Sequence, residues 1–199
     1  MTLHSRNDPE LWGAAVGGDE QAFGELFDRH GRTVYNFCFR RTADWAVAED
    51  LASVVFLETW RRRKQVRLEG GSLLPWLYGV ATNVLRNHQR SLRRYGAALS
   101  RLPEPVAPET DADLVAARLD DQRRMREILD RIAHLPRRDQ ELLVLCVWEE
   151  LTYAEAATAL GIPVGTVRSR LSRIRARLKE PPPLPGHKGI NNALREELS

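Results

Sequence analysis

Apolar residues recur every three to four positions along nearly the whole of this 199-residue chain, and no stretch alternates apolar and polar residues with the two-residue period of a β-strand. Because an α-helix turns once every 3.6 residues, this spacing places the apolar side chains on one helix face. One buried stripe is expected early in the chain, formed by Ala22, Phe23, Leu26, Phe27, Val34, Phe37 and Cys38. The sequence therefore predicts an all-α fold.

A segment rich in proline and acid divides this helical pattern into two blocks. Residues 103–113 contain three prolines, four acidic residues and no basic residue, a composition typical of an extended linker. We expect two small helical domains joined by an acidic, proline-containing linker at residues 97–114, with the second domain beginning at about residue 115. The Pro-rich tail at residues 181–199 has no role that the sequence assigns.

Polar residues mark two helix starts in the first block. The side chains of Asp44 and Ser72 can each accept a hydrogen bond from a free backbone N–H at the start of a helix. Pro75 is tolerated in the first turn of the helix after Ser72, because its missing N–H is not needed there. That helix is expected to bury Leu77, Val80, Ala81, Val84 and Leu85.

Basic residues are concentrated in two clusters, although the formal net charge is only +3. Nine Lys or Arg lie between residues 61 and 94 against a single acid, and six lie between residues 168 and 179 with no acid. Solvated helix faces explain many charge runs. Two clusters with so few interleaved acids nevertheless favour contact with a nucleic acid at two places.

Other classes of protein fit this sequence poorly. No apolar run reaches the ~20 residues of a membrane span, and the N-terminus lacks the pattern of a signal peptide, so we expect a cytoplasmic protein without membrane insertion. Cys38 and Cys146 lie in apolar helical patterns and are expected to be reduced thiols. We also expect no metal, no cofactor and no catalytic residue, because metal-ligand spacing, a phosphate-binding glycine loop and a nucleophile–base pair are all missing from the sequence.

The second block contains the pattern of a helix-turn-helix. Thr152 and Glu155 have the spacing of a capping box at a helix start. Ala157 is followed four residues later by Gly161, where a tight turn needs a positive φ. Val167 then begins the apolar stripe of a second helix, which continues through Leu171, Ile174 and Leu178. These offsets are typical of a helix-turn-helix, and an ordinary helical hairpin with an exposed basic helix is the alternative.

The opposite face of that second helix suits the major groove of DNA. Small polar groups and one long cation lie at its centre, where they would contact base edges, and arginines lie on its flanks, where they would contact phosphates. The residues predicted to contact duplex are Gly165, Thr166, Arg168, Ser169, Arg170, Ser172, Arg173 and Arg177.

The helix at residues 48–60 is apolar on two sides. An inward face is expected from Leu51, Ala52, Val55 and Phe56, while a second line is formed by Val54, Leu57 and Trp60. Such a helix is either fully buried in a small bundle or keeps one face for a partner. Periodicity leaves both alternatives open.

The next helix carries a polar and increasingly basic line opposite its apolar stripe, and the loop before it, at residues 66–73, contains two glycines beside apolar groups. Apolar and aromatic groups next to arginines are what unstacked bases require, although a lone tryptophan such as Trp76 is more often a core residue. The residues predicted to contact unpaired DNA are Leu68, Gly70, Gly71, Ser72, Trp76, Asn83, Asn87, Arg90 and Arg94.

Taken in order along the chain, these features resemble the extracytoplasmic-function (ECF) group of bacterial sigma factors, in the sigma-70 superfamily. The matching stretches are Asp19–Phe23, Ala48–Leu51, Pro75–Tyr78 with Asn83, and Gly165–Leu171. Each motif is weak alone, but the ordered set is specific and covers about residues 18–179. The resemblance implies sigma region 2 at residues 15–96 and region 4 at residues 115–180, without the region 3 of larger sigma factors.

The resemblance also implies a function, that of an alternative sigma factor which binds core RNA polymerase and directs promoter-specific initiation by recognising and melting promoter DNA. The loop at residues 66–73 and the Asn83 helix would hold the melted minus-ten element, and the Arg168 helix would read the minus-thirty-five duplex. The helix at residues 48–60 would dock on the clamp coiled coil of the polymerase. The residues implied in that docking are Asp50, Val54, Leu57, Glu58, Trp60 and Arg61.

Two features bear on how closely the family pattern applies. Members of the group often carry basic residues at the positions of Gly79 and Thr82 and an Asp at that of Asn87, so contacts on this face are expected to be weaker or differently specific. Members are also commonly held inactive by an anti-sigma factor, and nothing in the chain decides whether one exists here.

Two other functions compete with this interpretation. A plain helix-turn-helix regulator would explain residues 152–179 but leaves the two-faced helix and the loop without a purpose. An enzyme acting on nucleic acid is disfavoured because the sequence lacks a catalytic constellation.

Overall fold

The computed structural model describes residues 6–66, 68, 71–99 and 112–179, and within these residues all regular structure is helical. This confirms the prediction of an all-α fold. The chain divides into two compact units, an N-terminal unit that ends at Arg131 and a C-terminal unit that begins at Ile132.

The described residues of these units form eight α-helices. In the N-terminal unit they are α1 (Asp8–Gly17), α2 (Glu20–Thr42), α3 (Trp45–Arg62), α4 (Leu74–Leu99) and α5 (Ala112–Ile132), which ends at the boundary. In the C-terminal unit they are α6 (Arg137–Leu143), α7 (Tyr153–Leu160) and α8 (Val164–Lys179). A short 3₁₀ turn, Arg63–Gln65, follows α3, and a π-helical turn, Val144–Trp148, continues α6. Helices α4 and α5 therefore extend into both ends of the linker predicted at residues 97–114, whose middle lies outside the described residues, as does the tail.

Helix α1 was not predicted, because its ten residues are too few for periodicity to be recognised. Local signals mark its start. The Asn7 side chain accepts from the backbone N–H of Glu10, whose carboxylate accepts from the backbone N–H of Asn7, and Pro9 lies in the first turn. Buried Leu11 and Trp12 help to pack α1 against α2 and the turn after α3.

The core of the N-terminal unit lies where α2, α3 and α4 pack against one another. The predicted stripe of α4 is confirmed, since Leu77, Val80, Ala81, Val84 and Leu85 are all buried. The predicted stripe of α2 is also largely buried, but the prediction for Phe27 was wrong. Its side chain is 48% exposed, because it lies at the edge of the stripe and packs edge-on against Phe56 alone among the described aromatic rings, at 4.8 Å between centroids.

The two predicted helix caps have different outcomes. Asp44 caps α3 as predicted, since its Oδ1 accepts from the backbone N–H of Val47 at 3.1 Å. The prediction that Ser72 caps α4 was wrong by one residue. The helix begins at Leu74, so that Leu73 precedes its first turn, and the Ser72 hydroxyl accepts from the N–H of Leu74 at 3.1 Å.

The N–H of Leu73 is held by a carboxylate from another helix, that of Asp8 at the start of α1. Asp8 is 5% exposed, and its oxygens accept from Leu73 N at 2.8 Å, Ser72 Oγ at 3.3 Å, His30 Nε2 at 2.7 Å and Arg29 Nη1 at 2.6 Å. Burial raises the pKa of Asp8, but the hydrogen bonds from Leu73 and Arg29 and the contact with His30 outweigh burial and lower it. We call these five residues the Asp8 cluster.

The two cysteines belong to different units, and both are free thiols. Burial raises the pKa of Cys38 to about 12 and that of Cys146 to about 11, so both stay protonated and poorly nucleophilic at neutral pH. Within the described residues, no helix is long and apolar enough to cross a membrane. Those residues also contain no group of three or more His, Cys, Asp or Glu side chains that could hold a metal ion.

Removing the charge of Asp8 should destabilise the N-terminal unit in a pH-dependent way. Because its pKa in the folded protein lies below the ordinary value of 3.8, the stabilisation is complete above that value and is lost as the pH falls through the folded pKa. We expect Asp8→Asn to lower the free energy of unfolding by about 2 kcal/mol at neutral pH, and by less in strong acid. Urea unfolding followed by tryptophan fluorescence measures this difference, and a difference that does not change with pH would contradict the argument.

Candidate nucleic-acid and partner-binding surfaces

Helices α7 and α8 form the predicted helix-turn-helix geometry. The Thr152 hydroxyl accepts from the N–H of Glu155 at 3.3 Å, and the Glu155 carboxylate accepts from the N–H of Thr152 at 2.8 Å, which confirms the capping box. Gly161 ends α7 with a φ of 63°, the left-handed conformation that the turn requires. Ala157 and Val167 are both buried where α7 and α8 pack.

The two faces of α8 differ as the sequence predicts. Val167, Leu171 and Ile174 are buried, and the side chain of Leu178 lies outside the described residues. The exposed residues opposite them, which we call the outer face of α8, are Gly165, Ser169, Ser172, Arg173 and Ala176. Thr166 and Arg170 are half-buried. The outer face is therefore a strip of small residues with one long cation.

Arginines on the flanks of α8 contact neighbouring helices. Arg177 forms an ion pair with Asp139 of α6 at 3.7 Å, and Arg175 lies 3.5 Å from the hydroxyl of Tyr153 at the start of α7. These exposed contacts add little to the packing of the buried stripe of α8 against its neighbours. They give Arg177 a partner within the unit that the sequence did not predict, because the pairing depends on which helix lies beside α8.

Helix α3 exposes a second apolar face. Val54 is 42% and Leu57 is 48% exposed, so the alternative of full burial in the bundle is wrong. Asp50 and Arg61 are exposed on the same line, since positions 50, 54, 57 and 61 follow the helical repeat. We call these four residues the outer face of α3.

The other two residues predicted for that surface lie on the flanks of α3. The Trp60 ring packs against Phe23 of α2 at 5.0 Å between centroids, and the Arg63 guanidinium lies 3.7 Å above it. Glu58 points to the opposite flank, where it forms ion pairs with Arg61 at 3.0 Å and Arg62 at 3.2 Å. Neither belongs to the outer face itself.

A groove of about 540 Å³ is lined by residues of α3 and α4. Four of the residues predicted to contact unpaired DNA line it, and so do two from the predicted partner-binding set. They are Asn83, Asn87, Arg90 and Arg94 from α4, and Val54 and Glu58 from α3. Amide groups, arginines and an apolar floor that includes Leu51 and Val84 thus meet in one concave surface, which we call the α3–α4 groove.

Gly79 and Thr82, the positions where members of the group often have basic residues, do not lie on the exposed polar face of α4. The Arg86 guanidinium donates to Asn83 Oδ1 at 3.2 Å and so orients the amide. Thr82 is buried and Gly79 is half-buried, so neither belongs to the exposed line of Asn83, Asn87 and Arg90. The residue types at these two positions therefore affect the packing of α4 more directly than its polar face.

The loop before α4 is described at residues 66, 68 and 71–73, and Gly70 lies outside the described residues. Leu68 is half-buried, while Gly71 and Ser72 are exposed. Trp76 is half-buried and its ring lies 5.9 Å from that of Trp12, so packing against α1 accounts for part of its surface.

Two residues of α1, Asp8 and Trp12, contact this loop, and no sequence pattern predicted these contacts. The indole N–H of Trp12 donates to the carbonyl of Val66 at 3.3 Å, and Asp8 binds Ser72 and Leu73 as described above. The only available signal was the capping box of Asn7 and Glu10, which predicts a helix there but not what it touches.

Comparisons with known proteins agree with this geometry. The family described as Sigma-70 region 2 matches residues 26–95, and the family described as Sigma-70, region 4 matches residues 125–178. The RNA polymerase sigma factor HrpL of Pseudomonas syringae pv. syringae is 31% identical over 72% of this chain and 78% of its own length. The ECF RNA polymerase sigma factor BldN of Streptomyces coelicolor is 31% identical over 85% of this chain and 64% of its own length.

A solved structure shares the fold. The chain described in the structure of CnrH in complex with the cytosolic domain of CnrY matches with a TM-score of 0.62 and 23% identity, over 86% of this chain and 94% of that chain.

A charge should be tolerated on the outer face of α3 but not on its inner face. We expect Leu57→Asp to change the thermal unfolding midpoint by no more than about 2 °C, since surface substitutions are close to neutral. Leu51→Asp places the same carboxylate at a buried position of the same helix, and it should lower the free energy of unfolding by about 3 kcal/mol or more. Thermal melts followed by circular dichroism compare the two, and equal destabilisation would show that Leu57 is buried in solution.

Proposed function

The chain belongs to the ECF group of the sigma-70 family, and from this membership we propose that it is an alternative sigma factor, which binds core RNA polymerase and directs promoter-specific transcription initiation. The observation that carries the proposal is the exposed apolar outer face of α3 beside the polar α3–α4 groove. A protein that only bound duplex DNA through α8 would need neither surface.

The outer face of α3 supports polymerase binding. Exposed apolar side chains bordered by charged ones are typical of protein–protein interfaces. Val54 and Leu57 supply the apolar part, and Asp50 and Arg61 lie on the same line with opposite charges. We assign this face to core polymerase and expect Trp60 and Glu58 to contribute from its edges.

The α3–α4 groove supports binding of the melted minus-ten element. The amides of Asn83 and Asn87 can exchange hydrogen bonds with the edges of unpaired bases. Arg90 and Arg94 continue the same line and can neutralise the phosphates of the displaced strand. With the loop at residues 66–73 adjacent in sequence to α4, the region offers both base contacts and charge.

The outer face of α8 supports recognition of the minus-thirty-five duplex. Ser172 and Arg173 can donate hydrogen bonds to base edges in the major groove. The Ser169 hydroxyl donates to the carbonyl of Thr166 at 3.1 Å and can accept a hydrogen bond from a base. Gly165 is exposed in the first turn of α8, and a Cβ built there meets no side chain and no backbone of another element within 4 Å. This open position leaves room for close approach of a DNA backbone.

Polymerisation would belong to the partner, and this chain is proposed to have no catalytic residue of its own. Since its partners would be core polymerase and promoter DNA, we propose a cytoplasmic location. The competing function, a helix-turn-helix regulator acting without polymerase, would bind promoter duplex unaided.

Substitutions at the centre and on the flank of α8 should affect transcription differently. We expect Arg173→Ala to weaken the free energy of DNA binding by about 1–3 kcal/mol and to relax the base preference at one upstream base pair. The reason is that the Arg173 guanidinium lies at the centre of the outer face. Arg168→Ala, on an exposed flank, should weaken transcription evenly across upstream sequences. Arg168 is a better flank control than Arg177, whose removal also breaks the ion pair with Asp139.

The measurement is holoenzyme transcription from a promoter library with randomised upstream elements, read by sequencing the transcripts. If Arg173→Ala and Arg168→Ala reduce transcription from all upstream sequences alike, α8 does not read bases.

The loop before α4 should be required for melting but not for assembly. Opening DNA costs about 1.4 kcal/mol per base-pair step, so the displaced strand must be captured. Replacing residues 67–71 by Gly and Ser, while keeping Ser72 because of its contact with Asp8, should leave polymerase binding intact and reduce open-complex formation sharply. A template already mismatched across the minus-ten element should restore much of the transcription.

Permanganate footprinting of unpaired thymines on linear and pre-melted promoters measures this. Leu57→Asp is the matched control, since it should lose polymerase binding and therefore fail on both templates. Undiminished melting of the linear promoter by the loop variant would show that the melting function lies elsewhere.

A further inference from the structure

We propose that helix α1 positions the loop at residues 66–73 for promoter melting, by hydrogen bonds from one face of α1 to both ends of the loop. The inference rests on the proposed function, because it assigns α1 a part in DNA capture. Helix α1 itself would contact no DNA, so Asp8 and Trp12 are positioning residues.

The downstream end of the loop is held by Asp8. Its carboxylate accepts from the backbone N–H of Leu73 at 2.8 Å and from the Ser72 hydroxyl at 3.3 Å. Leu73 is fully buried and Asp8 nearly so. A charged acceptor shielded from water makes a stronger hydrogen bond than a neutral one, so this end of the loop has one well-defined position.

The carboxylate of Asp8 is in turn held by α2. Arg29 Nη1 donates to Asp8 Oδ1 at 2.6 Å, and His30 Nε2 donates to Asp8 Oδ2 at 2.7 Å. The oxygen that accepts from Leu73 is therefore also the one that accepts from His30. Because Arg29 and His30 donate to different oxygens of the carboxylate, its position is set by α2 and does not depend on the conformation of the loop.

The upstream end of the loop is held by Trp12. Its indole N–H donates to the carbonyl of Val66 at 3.3 Å, and the side chain is 4% exposed. The same ring packs against Trp76 in the first turns of α4, at 5.9 Å between centroids. Just before the loop, Arg63 Nε donates to the carbonyl of Ala15 at 3.1 Å, which ties the preceding turn to the end of α1.

Asp8 and Trp12 are four residues apart, so they lie one turn apart on the same face of α1. Both ends of the loop are thus hydrogen-bonded to one helix of ten residues. A loop whose ends are fixed loses less conformational freedom when it binds a ligand, and a functional group held by supporting contacts keeps its productive geometry. Loosening either end should therefore slow strand capture without affecting assembly.

Two mild substitutions test this. Trp12→Phe removes the indole donor while keeping an aromatic ring against Trp76, and Asp8→Asn removes the charge while keeping the shape. The control is Val55→Ala, which removes two methyl groups from a fully buried side chain of α3 that the interactions described above do not link to the loop. All are assayed as full chains with core polymerase, at a temperature where circular dichroism shows each variant folded.

The probe is a promoter that the wild-type holoenzyme transcribes, as linear DNA and as a template mismatched across the minus-ten element. We expect Trp12→Phe and Asp8→Asn each to slow open-complex formation on the linear template about fivefold, the effect of one lost hydrogen bond. Polymerase affinity should be unchanged, and the rates on the mismatched template should approach that of the wild type. Val55→Ala should not change the ratio of the two rates.

Two results would overturn the inference. One is that both α1 variants keep the wild-type ratio of the linear to the mismatched rate. The other is that Val55→Ala lowers this ratio as much as the α1 variants do. Either result would leave α1 with only a general role in stability. Failure of the wild-type protein to open any promoter with core polymerase would overturn the proposed function and this inference together.

Discussion

The buried carboxylate of Asp8 joins three parts of the N-terminal unit that are distant in sequence, namely α1, α2 and the start of α4. An unpaired buried carboxylate would cost several kcal/mol, and here donors from Leu73, Ser72, Arg29 and His30 remove that cost. Because Leu73 is the residue immediately before α4, this contact ties the start of α4 to α1 and α2. The surface assigned to unpaired DNA lies on α4, and the surface assigned to polymerase lies on α3, which packs against α2 and α4.

Those two surfaces share one pair of helices. Val54 belongs to the outer face of α3 and also lines the α3–α4 groove, and Glu58 lies between them. A contact made on α3 by polymerase would therefore lie beside the DNA strand held in the groove. On the proposed assignment, binding of polymerase and holding of the displaced strand would occur on adjacent surfaces of the N-terminal unit.

Local sequence signals predicted much of this structure. The all-α fold, the capping box of Thr152 and Glu155, the left-handed Gly161 and the stripe of α4 each follow from residues close together in the chain. The misses depend on contacts between distant residues. Helix α4 begins one residue later than predicted, after Leu73, whose N–H is bound by Asp8. Phe27 is exposed because it lies at the edge of its stripe. Helix α1 is too short to show a period. For the candidate site, the sequence predicted the polar and basic lines, but not the supporting contacts beneath them.

The flanking arginines of α8 have a consequence for how binding would respond to salt. DNA binding releases condensed counterions in proportion to the phosphates that a protein neutralises, and this sets the slope of affinity against ionic strength. Arg177 is already paired with Asp139, and while it keeps that partner it neutralises no phosphate. The ionic-strength dependence of minus-thirty-five binding would then be shallower than the number of basic residues on α8 implies.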